Sequence, residues 1–238
     1  MVAMEVIPSR VLNLLYVFLD IGFLLFLLIV LLRCKRYQAT LFGICGGLLY
    51  FLVDYGGFYL LLGTRTVEGA DPFWFLLWLS MSYGFTNFIW IWLWLDRDGH
   101  AMEWSVLIIS GWLAVALLSQ NFGGDFPEIR ISRGTGSYHG IMAILLFVGY
   151  AILCLHNLQA KEKDQRYPLV WILAIGILVQ FAWEFVLLIT GIRAQGFGPL
   201  LVNSLLETNL GLPYIFFIHR AVSSRWSENL KRLPPSRA

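Results

Sequence analysis

The chain is poor in the residues from which most soluble active sites are built. Of its 238 residues only 13% are charged, and it holds 4 histidines and 3 cysteines. The cysteines, Cys34, Cys45 and Cys154, have no CxxC spacing and no histidine at metal-ligand distance along the sequence. They read as small apolar or interfacial residues rather than a zinc or redox site. No G-x-S-x-G, no H-E-x-x-H and no Walker-type glycine loop is found. There is no Asp-Asp-x-x-Asp run to hold magnesium for diphosphate ionisation, and no lysine in the last apolar run to carry a retinal Schiff base. Neither a metal nor a cofactor is expected. A net charge of +2, with the basic residues confined to loops, gives no reason to expect a nucleic-acid partner.

What the chain has in abundance is apolar surface. It is 58% hydrophobic, carries 10 Trp, and repeats apolar stretches of about the 20 residues needed to cross a bilayer. The expected fold is an all-α polytopic membrane protein with seven transmembrane helices, over 11–33, 39–63, 72–95, 103–120, 139–158, 168–191 and 199–219. The first run ends in Arg33-Cys34-Lys35-Arg36 rather than a small-residue cleavage site and is too long for a signal peptide, so it is expected to be retained. The segment from Gln120 to Tyr138 reads as a loop, and the basic tail 220–238 as disordered. Five of the 17 Lys and Arg fall on the side of the N-terminus and twelve on the other. That bias predicts an outside N-terminus and a cytoplasmic C-terminus.

Two stretches resemble each other. Tyr50 to Arg65 carries Asp54 and ends Gly63-Thr64-Arg65; Gln180 to Arg193 carries Glu184 and ends Gly191-Ile192-Arg193. The following spans share Ser82…Thr86-Asn87 and Ser204…Thr208-Asn209. A parallel 3+1+3 repeat is expected, with halves 11–95 and 139–219 joined by the span 103–120. Gly43 and Gly47, at GxxxG spacing, read as a helix-packing surface. Trp90, Trp92 and Trp94 read as an interfacial belt. Trp74 and Trp78 read as either belt or cavity lining.

Four acids lie inside spans: Asp20, Asp54, Glu184 and Glu207. At about 1.5 Å per residue, all four fall roughly 10 to 14 Å below the same surface. Charges at that depth are costly, so they face the bundle interior and mark a candidate functional site. Helical spacing sets Gln180 beneath Glu184, Asn203 and Ser204 on the face of Glu207, and Ser80, Tyr83 and Asn87 on one face of span 3. The expectation is one shared, poorly solvated chamber. Arg65 and Arg193 read either as charge partners at helix C-termini or as receivers of an anionic substrate group, and the first reading is preferred.

At Phe181-Ala182-Trp183-Glu184 and Asn209-Leu210-Gly211…Tyr214 the chain resembles the integral-membrane terpene cyclases of fungal meroterpenoid and indole-diterpene pathways and their bacterial relatives. The likeness covers about 35 residues. It implies about seven spans and an acid, Glu184, that protonates an epoxide or alkene. The family carries this motif in its first half, whereas here it lies in the second. The family's second acid would fall near Tyr83 to Phe85, where none stands, which leaves Glu207, on the equivalent helix of the other half, to supply that function.

Three functions fit these residues. The first is metal-free, proton-initiated cyclisation or isomerisation of a lipid-soluble isoprenoid. Glu184, Glu207 and Asp54 would be its catalytic acids, with Trp183, Tyr83, Asn87, Asn203, Trp78, Phe58 and Asp20 around the substrate; aromatic faces would steady carbocations. The second is a small-solute or proton-coupled transporter of 3+1+3 build. The third is an intramembrane hydrolase or hydratase using paired carboxylates to activate water.

Overall fold

A computed structural model describes residues 9–134, 138–193 and 197–232. Seven helices account for most of it: α1 Leu14–Arg33, α2 Tyr37–Phe51, α3 Pro72–Leu95, α4 Ala101–Phe122, α5 His139–Gln159, α6 Leu169–Ile189 and α7 Phe197–Arg232. Helix α2 continues as a wider π-helix from Leu52 to Leu61, and Asp54 lies inside it. Five of the helices, α1, α2 with its extension, α4, α5 and α6, are long and apolar enough to cross a membrane. Their outward faces carry bare apolar side chains, among them Phe18, Leu25, Leu61, Phe147 and Leu158. Such a perimeter belongs in lipid, where no hydrophobic penalty attaches to it.

Helix α3 is the central helix. It starts cleanly because Asp71 accepts a hydrogen bond from the Trp74 N–H at 3.1 Å and Pro72 takes the first helical turn. From Phe85 to Leu93 every one of its residues is buried. Trp90 and Trp92 are therefore core rather than belt, at 4% and 1% exposure. Both Trp90 and Trp94 donate indole N–H bonds to Ser105 of α4, at 2.7 and 3.1 Å.

The closest helix pairs are α2 with α3 and α6 with α7. Glycine makes both possible. A Cβ on Gly84 of α3 would lie 2.6 Å from the Cα of Gly47 on α2, and one on Gly43 would lie 2.9 Å from the Phe85 carbonyl oxygen. On α6, Gly176 clears room for the Asn209 side chain of α7. The packing expected of Gly43 and Gly47 is what they do.

Three short strands form an element that the sequence did not announce. β1 Ser9–Asn13, β2 Arg65–Glu68 and β3 Glu128–Arg133 make an antiparallel sheet in the order β1-β3-β2. A backbone bridge from Arg10 to Arg193 adds the turn after α6 to its outer edge. The N-terminal strand and the connections after α2, α4 and α6 are thereby gathered at one end of the bundle. Ile129 and Ile131 of β3 are fully buried beneath this cap. The stretch read as a loop between 120 and 138 thus contains the sheet's middle strand, and Val11 to Asn13 belong to β1 rather than to the first helix. Asn13 ends β1 and caps α1, accepting from the Tyr16 N–H at 3.0 Å and donating to the Ser119 carbonyl at 2.9 Å.

The opposite end is tied by side chains. Arg36 pairs with Asp98 at 2.6 Å, and His219 hydrogen-bonds Asp96 at 2.6 Å while its ring packs edge-on against Trp92. Helix α7 runs on past His219 to Arg232, so the first part of the tail expected to be disordered is helical; residues 233–238 lie outside the described residues.

Candidate functional site

Both Gly-x-Arg endings are local devices that return an arginine to its own helix. Gly63 and Gly191 adopt φ of +61° and +69°, a conformation that glycine takes without steric cost. At the second site the Arg193 N–H bonds the Leu187 carbonyl at 3.1 Å, folding the chain back over the last turn of α6. The arginine then reaches the acid buried one to three turns below. Arg65 donates to Asp54 at 2.6 Å, and Arg193 forms an ion pair with the second oxygen, Oε2, of Glu184. The arginines are 4% and 8% exposed, so both pairs are desolvated. Arg65 and Arg193, read first as charge partners at helix C-termini, each also have an acid of their own segment as partner.

Glu184 draws partners from β1, α6 and α7. Its Oε1 accepts from Gln180 Nε2 at 3.2 Å and from Asn203 Nδ2 at 3.3 Å, and Arg10 of β1 lies 3.7 Å away. The Gln180 amide also donates to Glu207 Oε2 at 3.1 Å, so one amide nitrogen joins the carboxylates of α6 and α7. Its carbonyl oxygen accepts from Tyr83 of α3 and Thr208 of α7, each at 2.5 Å. Glu184 and Gln180 are buried, whereas Glu207 is half-buried. An aromatic wall flanks the group. Tyr83 stacks on Tyr50 with ring centres 5.1 Å apart and meets Trp183 at 5.3 Å; Trp183 in turn meets Trp112 edge-on at 4.5 Å.

The other expected site residues lie in different settings. Asp20 accepts from the Trp78 indole at 2.9 Å, and Trp78 and Trp74 line an apolar groove of about 390 Å³ between α1 and α3. Phe58 lies under the Arg65 guanidinium at 4.8 Å, so one of its π faces is occupied within the protein. Asn87 is fully buried on α3, and neither polar atom of its amide has a hydrogen-bond partner among the described residues. Among these contacts Glu184 and Glu207 share the Gln180 amide, Asp54 pairs with Arg65, and Asp20 accepts from Trp78. Sequence reasoning missed Arg10 and Thr208. Thr208 stands out in the sequence only as part of the repeat, and no signal marks Arg10, since its approach to Glu184 depends on the sheet.

Among the described residues no group of three or more His, Cys, Asp or Glu comes together as a metal site would need. Set against protein-family models, curated protein sequences and solved structures, the chain matches none of them.

Proposed function

We propose that the protein carries out metal-free proton transfer within the membrane, cyclising or isomerising a lipid-soluble, isoprenoid-like substrate. The observation that carries this reading is the Gln180 amide shared between Glu184 and Glu207 beside the Tyr50–Tyr83–Trp183 aromatic wall. The roles differ from those expected from motif likeness. Glu184, paired with Arg193 and approached by Arg10, is the anchoring acid that holds the cluster in place. Glu207, bonded to a neutral amide and half-buried, is the proton donor. Protonation of an alkene or epoxide by Glu207 leaves a cation facing Tyr83 and Trp183, whose ring quadrupoles stabilise it. Loss of a neighbouring C–H proton back to the Glu207 carboxylate closes the cycle with no net change in composition.

A seven-span arrangement fits this reading, and the alternation of the connections supports it: those after α2, α4 and α6 share the cap with β1, and those after α1 and α3 meet at the other end through Arg36 and Asp98. An outside N-terminus rests on the Lys and Arg bias alone. The paired Asp54–Arg65 and Glu184–Arg193 motifs also suit a repeat-built transporter, which is the second reading.

The test is incubation of the reconstituted protein with extracted membrane lipids in D2O, followed by mass spectrometry. Alkene protonation gives a product one mass unit above its substrate, from the C–D bond formed as a C–H bond breaks; epoxide opening gives an isomer whose added deuteron sits on an exchangeable hydroxyl. Glu207→Gln should lower the rate of either by on the order of 10²-fold or more. Full turnover in that variant removes Glu207 from the role. A gain of water points to a hydratase, and solute uptake without a product to the transporter.

A further inference from the structure

At the end of the bundle opposite the sheet, the α5–α6 connection folds back onto α7 around Tyr167. Asn157 of α5 devotes its whole amide to this fold, accepting from the Tyr167 N–H at 2.7 Å and donating to its carbonyl at 2.9 Å. The Tyr167 ring stacks on His156 with centres 3.8 Å apart and an 11° angle, and Phe216 of α7 packs edge-on against it at 5.1 Å. The Arg220 guanidinium lies 4.7 Å from the same ring centre. Between these groups is a cavity of about 380 Å³ lined by His156, Gln159, Ala160, Gln165, Tyr167 and Arg220.

The lining is chemically one-sided. It has no carboxylate and offers one permanent cation, two side-chain amides, a phenol and an imidazole. His156 Nδ1 is buried and has no hydrogen-bond partner among the described residues. Arg220 offers a planar fork of N–H donors, the geometry that suits phosphate. The position matters as well, because α5 and α6 are membrane-length helices and the cavity lies at their shared end. That is the depth at which lipid phosphates lie.

We propose that this cavity binds a phosphate group at the membrane interface, held by Arg220 and His156 with Gln159 or Gln165 as a further donor. Space well beyond one phosphate accommodates the glycerol of an anionic lipid phosphomonoester. Tyr167 is the positioning residue, since it orders both His156 and Arg220. The exposed connection also carries Lys161, Lys163 and Arg166 against Glu162 and Asp164, a small basic excess that favours an anion.

Three probes test it on the full chain in nanodiscs: inorganic phosphate in phosphatidylcholine discs, phosphatidic acid doped into such discs, and phosphatidylcholine alone. Bound lipid is counted by native mass spectrometry. Binding is followed through the imidazole nitrogen resonances of ¹⁵N-labelled protein, which has 4 histidines to resolve. Retention of phosphatidic acid over phosphatidylcholine, with a shift at His156 and about a tenfold loss in Arg220→Gln, supports a lipid source. A shift with inorganic phosphate but no lipid retention supports a free phosphate. His156→Phe keeps the stack on Tyr167 while removing the nitrogen, and should weaken either ligand. Equal retention of both lipids with no phosphate-induced shift overturns the proposal, as does unchanged binding in both variants while they remain folded.

Discussion

At the scale of single residues, two of the positive-φ glycines, Gly63 and Gly191, decide where two buried charges go. Nothing lies within 4 Å of a Cβ placed on Gly191, so its substitution would be resisted by backbone conformation alone. Gly191→Ala is expected to cost about 1 kcal/mol, lowering the melting temperature by roughly 2–4 °C for a chain this long. Differential scanning fluorimetry in detergent measures it. The ion pairs weigh more heavily on stability. Removing one member of a desolvated pair leaves an uncompensated charge and costs about 3–5 kcal/mol, whereas removing both is far cheaper. Arg193→Met should therefore destabilise strongly, and adding Glu184→Gln should recover much of the loss. A double-variant cycle by chemical unfolding checks it. If Arg193→Met is harmless, the pair does not hold the turn after α6.

At the scale of elements, glycine contacts govern how closely helices approach. Gly84→Leu would push its side chain against the backbone of α2, where no flexible atom can yield. A loss of about 1–3 kcal/mol or more is expected, with disruption of the Tyr50–Tyr83 stack; unfolding midpoints and near-ultraviolet circular dichroism would register both. The helices were the legible part of the sequence, because a run of some twenty apolar residues has few alternatives in a membrane. The bounds read for the third span, 72–95, coincide with α3. The sheet was not legible. Its strands have five, four and six residues, too short for alternation to stand out, and each finds its partner far away along the chain. The site was half legible. Gln180, Glu184 and Asn203 followed from helical spacing and do meet, but depth alone could not say which way Asp20 and Asp54 turn. Their partners, Trp78 and Arg65, are chosen by helix rotation and by the turn at Gly63. The belt reading of Trp90 and Trp92 failed because aromatic content marks a buried helix junction as readily as an interface.

For the molecule as a whole, the two ends have distinct construction: hydrogen-bonded backbone at one, ion pairs and aromatic stacks at the other. Cys34 is free and exposed at the end of α1, and Glu68 closes β2 in the cap. In oriented vesicles, a membrane-impermeant maleimide should label Cys34 and a Glu68→Cys variant from opposite sides, with Cys45 and Cys154 replaced by alanine. Labelling of both from one side would rule out the proposed seven-span arrangement.

The sheet has a further consequence, for biosynthesis. Asn13 must wait for Ser119, 106 residues later, before its amide finds an acceptor, and β1 must wait longer still for β3. At ribosomal speeds of about 5–20 residues per second, that delay is on the order of ten seconds. Throughout it the nascent N-terminal strand has no neighbour of its own, while the first helices have already left the ribosome. The cap is a late seam, closed only once most of the polypeptide has been made.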